Sequence, residues 1–369
     1  MKILFIHRVE LGRSEQATVN YIPCTLAQQG HQVSMVAASG GSTDLLESNG
    51  VTVYYANNPL ERFYTIRRVL KSFSPDIVHV FTFAGFGLIP FLSLGIKRPK
   101  YVCDIRSPLV WKGIMRKIIQ SKSNLERKGY DLIFSHSELS AKTVFGKEVP
   151  VTVVPPGVDL LSIPTIPIKT EARKFVYIGS LNEGRELGTM LRAFAKVAAE
   201  NKDITLDIYG NGNIKESLEQ LVASLKLSDR ILFHGAVERK KLFSNLVEYD
   251  VGLSYVPKGI LDGGPPLKTL EYFAFHMPVV ATNTVGNLMF VNSENGVITQ
   301  DDIESYAQGI RDMVNSSNVP HMSKAARESV EIWGWQSIVS RIVLPSYEKV
   351  LTVTGHRVNN ADISIGSES

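Results

Sequence analysis

Short, β-branched apolar runs separated by helix-length segments recur along most of the chain, and this alternation restricts the fold more than any other feature. In the first half the runs fall at 3–6, 33–37, 51–54, 77–81, 101–103, 132–134 and 151–154. They are short, β-branched and largely apolar, as expected of strands in a parallel sheet covered on both faces. Pro155-Pro156-Gly157 stops the last of them, and the stretch through Ile163-Pro164-Thr165-Ile166-Pro167 can readily continue neither a helix nor a central strand. The alternation then restarts, with strands predicted at 175–178, 204–208, 231–233, 251–255 and 278–281. The fold class that follows is α/β, with two Rossmann-like domains facing each other across a cleft at the carboxyl ends of their strands. The predicted boundaries are an N-terminal domain at 1–160, a linker at 161–172 and a second domain at 173–325. A helical segment at 326–351 that could pack across both domains and a flexible tail at 352–369 complete the chain.

The 369 residues, 44% of them hydrophobic, suffice for two cores. No run reaches the length of a membrane span, and Met1-Lys2 passes straight into a core-like strand, so the expected location is cytoplasmic. Cys24 and Cys103 have neither metal nor redox spacing and read as buried thiols. A net charge of +4 does not call for nucleic acid as a partner, but it is unevenly placed. Between Lys97 and Lys128 ten basic residues face only Asp104 and Glu126. Within that stretch Trp111, Ile114, Ile118 and Leu125 interleave with Lys112, Arg116, Lys117 and Lys122. This pattern suits a helix lying on an anionic membrane surface or glycan, and equally an outer helix with one buried face.

The chemistry concentrates in the second half. Gly263-Gly264-Pro265-Pro266-Leu267-Lys268-Thr269-Leu270-Glu271 follows an apolar run; the glycines permit a close turn and the prolines suit a helix start. Lys268 and Glu271 then share a face, where Lys268 could meet a phosphate and Glu271 the hydroxyls of a ribose. An ordinary surface ion pair is the competing explanation. Gly179 through Arg185 forms a second strand-to-helix loop in which Arg185 and backbone amides could hold a diphosphate, or which serves only as a turn. Gly210 and Gly212 could give backbone access to a nucleotide, and Gly12, ahead of Arg13, could allow close approach to a phosphate from the first domain. His7, His79 and His136 lack metal-ligand partners at a diagnostic spacing, so no metal is expected.

These pieces, in this order, resemble the retaining GT-B glycosyltransferases of family 4, also called group 1. The likeness is carried by Gly157-Val158-Asp159, Tyr177-Ile178-Gly179, Tyr209-Gly210-Asn211-Gly212, Phe233-His234-Gly235, Asp250-Val251-Gly252-Leu253, Lys268 through Ala274 and Pro278-Val279-Val280. The resemblance implies a nucleotide-diphosphate sugar as donor substrate, no other cofactor, and a glycan or lipid-linked acceptor held by the first domain. It places Glu271 at the ribose, Val237 at the base, and Arg185 at the phosphates. Gly263 stands where the family's first motif acid is expected, with Asp262 and Gly264 beside it, and these three are the sugar-positioning candidates. Asp104, with Arg106, falls near the family's donor-contacting histidine. The implied reaction is metal-independent transfer with retention, in surface polysaccharide or glycolipid assembly. The departures at Gly263 and Asp104 leave a nonenzymatic sugar-nucleotide-binding or scaffold protein as the alternative.

Overall fold

Each apolar run of the first half becomes a strand of one seven-stranded sheet. The computed structural model describes residues 1–10, 17–109, 111–259, 262 and 264–352. It divides into two units, Met1–Gly157 with the segment from Trp335 onward, and Val158–Gly334. In unit 1 the strands are β1 (Lys2–Glu10), β2 (Gln32–Ala38), β3 (Thr52–Tyr55), β4 (Ile77–Phe81), β5 (Lys100–Ile105), β6 (Leu132–Ser135) and β7 (Thr152–Val153). Their order is β3-β2-β1-β4-β5-β6-β7, and every pairing is parallel. All five residues of β4 are buried, His79 among them, which accounts for apolar residues on both faces of the strand in place of strict alternation.

The helix Pro59–Phe73 shows how the connections are specified. The Asn58 side chain accepts the Glu61 N–H, Pro59 supplies a fixed φ in the first turn, and Ser74 ends the helix in the left-handed region at φ 48°. Its buried face carries Thr65, Ile66, Val69 and Leu70.

The chain returns to unit 1 at its end. Trp335–Ile338, a π-helical turn at Val339–Val343 and Leu344–Thr352 follow one another, burying Trp335, Val339, Val343 and Tyr347. Tyr21 stacks on Trp335 at 5.9 Å between ring centroids. A Cβ on Gly157 would lie 2.8 Å from Trp335 and Ile338, so this close approach needs glycine. The segment expected at 326–351 is therefore divided at Gly334. Ala326 and Val330, on the helix Val319–Val330, belong to the core of unit 2, and the rest belongs to unit 1.

Unit 2 contains β8 (Lys174–Ile178), β9 (Thr205–Tyr209), β10 (Ile231–Gly235), β11 (Val251–Ser254), β12 (Val279–Thr282) and β13 (Gly296–Thr299), all paired in parallel in the order β10-β9-β8-β11-β12-β13. The sequence reading lacks β13, a four-residue edge strand that opens with a glycine, a residue usually depleted in strands. Glycine is required there because a Cβ would sit 2.6 Å from the Val279 carbonyl oxygen. Residues 161–172 lie in this unit and are packed onto it: Ile166 and Ala172 are buried, the Lys169 N–H donates to Ser323 Oγ at 2.8 Å, and Lys169 Nζ donates to the Val247 carbonyl at 2.7 Å.

His136, after β6, is buried, with Nε2 2.8 Å from Ser140 Oγ. Burial first, then the Arg106 charge, lowers its imidazole from 6.5 to about 4. A depressed folded value means that the unfolded chain takes up the proton first. Stability is thus complete above pH 6.5 and declines as pH falls toward 4, by about 3 kcal/mol from this group. Urea titrations across that range are expected to show His136→Asn with a shallower acid decline than the parent; an identical slope would remove His136 as its source.

Candidate functional site

In unit 2 the helix Leu267–Ala274 begins at the carboxyl end of β11 after Pro266, which is extended at φ −80° and ψ 113°. Three contacts seat it. The Ile178 N–H donates to Tyr272 Oη at 2.8 Å, and the Tyr272 ring lies so close to Gly252 that a Cβ there would be 2.1 Å away. Thr269 Oγ1 lies 2.6 Å from Ser254 Oγ, which donates to Asn287 Oδ1 at 2.8 Å. Asn287 in turn donates to the carbonyls of Ser254 and Thr282. The helix is thereby fixed to the ends of β8, β11 and β12, and its polar face is aimed by packing rather than by a mobile loop.

Lys268 projects from that face over the Tyr177 ring, Nζ 3.9 Å from the centroid, and donates to the Tyr255 carbonyl at 3.0 Å. Burial, then the neighbouring Arg185 charge, holds its ammonium well below the ordinary lysine value. Arg185 comes from the loop after β8, where its Nε donates to Ser180 Oγ at 3.2 Å. Among the described residues no carboxylate pairs with either cation. Two cationic side chains that repel each other, with no carboxylate partner among the described residues, make an arrangement that an anion would relieve.

Glu271, one turn further on and 5% exposed, does not pair with Lys268, which removes the surface ion pair as an explanation. It pairs with Arg239 at 2.8 Å, and Arg239 also stacks on Phe243 at 4.5 Å. Burial raises the Glu271 carboxyl, and Arg239 opposes that shift. The sequence reading missed Arg239; its clue is the Arg239-Lys240-Lys241 run two residues after Val237. Val237 is half-buried against the core that contains Phe243 and Leu270, so it stands on the same side of the sheet as Glu271.

Several expected site residues have other duties. The Gly210 N–H donates to the Gly235 carbonyl at 2.9 Å, and a Cβ on Gly210 would lie 1.8 Å from the Gly179 carbonyl oxygen. Gly210 therefore lets three strand ends close together, and its amide is not available to a nucleotide. Asp262 Oδ1 accepts the Val285 N–H at 2.8 Å, and the Asp262 carbonyl accepts the Gly286 N–H at 2.8 Å, so this residue braces the 284–286 loop. Gly264 packs against the same loop, its carbonyl oxygen 2.4 Å from where a Gly286 Cβ would stand. Gly263, Gly12 and Arg13 lie outside the described residues.

In unit 1 Asp104 is 0% exposed at the end of β5 and has no open face for a sugar. Its Oδ2 accepts from Arg106 Nη2 at 2.7 Å and from His79 Nε2 at 2.9 Å. Burial opposes ionisation, but Arg106 and His79 outweigh it and keep the carboxyl below its usual range. His79 Nδ1 lies 2.5 Å from Tyr347 Oη, and Arg106 Nη1 donates to the Val154 carbonyl at 2.6 Å. With Nε2 donating to Asp104, Nδ1 accepts the Tyr347 hydroxyl proton, which fixes the tautomer of a neutral imidazole. Arg106, partly exposed, is held in place by Asp104. Among the described residues no group of three His, Cys, Asp or Glu side chains could hold a metal, and no helix is long and apolar enough to cross a membrane.

Residues 21–161 match the family model Glycosyltransferase Family 4, and residues 172–316 match Glycosyl transferases group 1. An uncharacterized glycosyltransferase of Methanocaldococcus jannaschii is 23% identical over 247 residues, which span 61% of this chain and 59% of that relative. The chain thus spans less than two thirds of the length of that curated relative. Among solved structures, a glycosyltransferase from Rickettsia africae superposes with a TM-score of 0.76 at 16% identity, over 95% of this chain and 98% of the other. Anabaena HepE in complex with UDP and glucose superposes at 0.77 and 15% identity, over 95% and 100%. With one glycosyltransferase family model on each unit and a shared fold of two parallel α/β sheets, the chain belongs to the GT-B-fold glycosyltransferases.

Proposed function

We propose that this chain transfers a sugar from a nucleotide-diphosphate sugar to an acceptor hydroxyl. The observation that carries the reading is the convergence of Lys268, from the helix Leu267–Ala274, and Arg185, from the loop after β8, two cations with no carboxylate between them among the described residues. In this reading they take the diphosphate and stabilise it as it leaves, because fixed donors in a partly dehydrated site meet developing negative charge without reorganisation. Glu271, steadied by Arg239, accepts hydrogen bonds from the ribose, and the half-buried Val237 lies under the base. HepE was solved with UDP and glucose, which makes UDP-glucose the first donor to test. Retention of the anomeric configuration follows from the resemblance to the retaining family, and with no protein nucleophile placed in this reading it proceeds by front-face attack instead of double displacement, the leaving diphosphate assisting acceptor deprotonation.

The acceptor and the biosynthetic role extend the reading further. The helix Gly113–Glu126 leaves Ile114, Met115, Ile118 and Leu125 exposed, beside exposed Trp111. Leu88, Phe91 and Leu94 are also exposed on the segment that packs against this helix. Arg116, Lys117 and Lys142 line one open groove at the helix. Apolar side chains interleaved with lysine and arginine suit a surface of anionic lipid, so we place the protein peripherally on such a membrane, acting on a glycan or lipid-linked acceptor in surface polysaccharide or glycolipid assembly. A donor-binding protein without transfer is the second reading, favoured by the engagement of Asp262 with the 284–286 loop and the complete burial of Asp104.

Calorimetry with a panel of nucleotide sugars is expected to find one saturable donor whose affinity falls about tenfold or more, at least ~1.4 kcal/mol, in both R185A and E271Q. Binding without turnover would select the second reading. Lys268 gives a pH signature. Its depressed free-state value rises when an anion binds, so binding takes up protons, and affinity weakens as pH rises through that depressed value. K268R, which stays charged, is expected to flatten this dependence. NMR of the first-formed product is expected to show the donor's anomer; the opposite anomer refutes retention. Vesicles containing phosphatidylglycerol are expected to sediment the protein and neutral vesicles to leave it in solution; equal supernatants remove the membrane assignment.

A further inference from the structure

Among the described residues Arg62 is a buried cation with no counterion. It lies in the first turn of the helix Pro59–Phe73 and is 6% exposed. Its Nη2 reaches only the Arg8 and Ala56 carbonyls, each at 3.4 Å, the long limit of a hydrogen bond, and its buried Nε has no partner. Among the described residues no carboxylate pairs with it. Glu61 beside it directs Oε2 to the Asn57 N–H at 2.8 Å. The Phe83 ring lies 5.9 Å from the guanidinium carbon. Burying an unpaired charge is expensive, and a fold that tolerates it without a compensating acid has left that charge for something else.

Two further groups lie nearby. His7 Nε2 is buried without a partner, and the charges of Arg8 and Arg62, after burial, lower its imidazole to about 4, which puts both arginines close to it. His7 is therefore neutral near pH 7 and can donate one hydrogen bond. The Arg8 side chain is exposed. These groups stand at or just beyond the carboxyl ends of β1 and β3, with Phe83 two residues past the end of β4, along the edge where open parallel sheets bind ligands. The amino end of the helix Pro59–Phe73 adds its partial positive charge in the same direction.

We propose that Arg62, Arg8 and His7 form an oxyanion site for a phosphate group, and, resting on the transferase reading above, that the phosphate belongs to the acceptor. Arg62 supplies a planar fork in a dehydrated setting, Arg8 a second charge at the rim, and His7 a neutral donor between them. These residues belong to unit 1, whereas Lys268 and Arg185 belong to unit 2, and the site selects an anionic acceptor, whose phosphate comes either from a lipid headgroup or from a soluble sugar or polyol phosphate.

The test titrates inorganic phosphate into the full-length R185Q protein, which weakens the anion site of unit 2, at constant ionic strength. Adding R62Q is expected to reduce phosphate affinity tenfold or more, and adding R8Q a few-fold. R62K is expected to recover only part, because it restores the charge without the fork. Thermal melting of R62Q is expected to match or exceed that of the parent, since an unpaired buried charge has gone, which separates loss of binding from loss of fold. Unchanged phosphate affinity in folded R62Q overturns the site. Competition by glycerol phosphate that Arg62 governs assigns a soluble phosphate, and loss of phosphatidylglycerol vesicle binding in R62Q assigns a headgroup. Donor calorimetry on R62Q is expected to match the parent. Failure of every donor to bind would sink the transferase reading while leaving the phosphate titration to decide this site independently.

Discussion

The charge on Asp104 is the interaction on which unit 1 depends. A carboxylate with no exposed surface is tolerable only when its partners are fixed, and here they come from separate parts of the chain: His79 on β4 and Arg106 beyond β5. Arg106 carries the linkage to Val154 after β7, and His79 carries it to Tyr347 near the chain end. Removing one partner from such a group leaves an uncompensated buried charge, typically a loss of about 3–5 kcal/mol. The cluster thereby joins strands of the sheet centre to its edge and to the returning helix by a single ionised group.

The same distinction between matched and unmatched charge separates architecture from binding elsewhere in the molecule. Asp104 is stabilised in its charged form by groups the chain itself supplies, and Asp131 and Glu271 each have an arginine partner, Arg98 and Arg239. Lys268 and Arg62 are not: each is a cation in a poorly hydrated place whose described neighbours are carbonyls, aromatic faces or other cations. A chain can leave such charges unmatched where a ligand supplies the missing negative charge. Polar groups already satisfied, such as the Gly210 amide, have no binding capacity left to offer.

The fold was legible because parallel strands covered on both faces are largely apolar on both, and twelve such runs stood out between helix-length segments. β13 escaped because glycine opens it and four residues give little pattern. The division at Gly334 escaped because helical periodicity continues on either side of it, and nothing in that periodicity indicates which core each half joins. In the candidate site, Lys268, Arg185 and Glu271 could be named from loop chemistry and spacing. The partner of Glu271 could not, since Arg239 lies 32 positions earlier and meets it only through tertiary packing. Asp104 was identified as important, but burial makes it a structural anchor instead of a sugar contact. A strand end can open to solvent or close under a helix, and the closing helix here begins more than 200 residues later.

The return of the chain to unit 1 also sets the order in which the protein can be completed during synthesis. His79 and Tyr347 are 268 residues apart, and at about 5–20 residues per second on a ribosome the hydroxyl follows the imidazole by roughly 15–50 s. Unit 2 is fully translated before that moment, whereas the first half waits with the Tyr21 and Phe134 surfaces uncovered until Trp335 and Tyr347 arrive. The half that leaves the ribosome first is therefore the half that matures last.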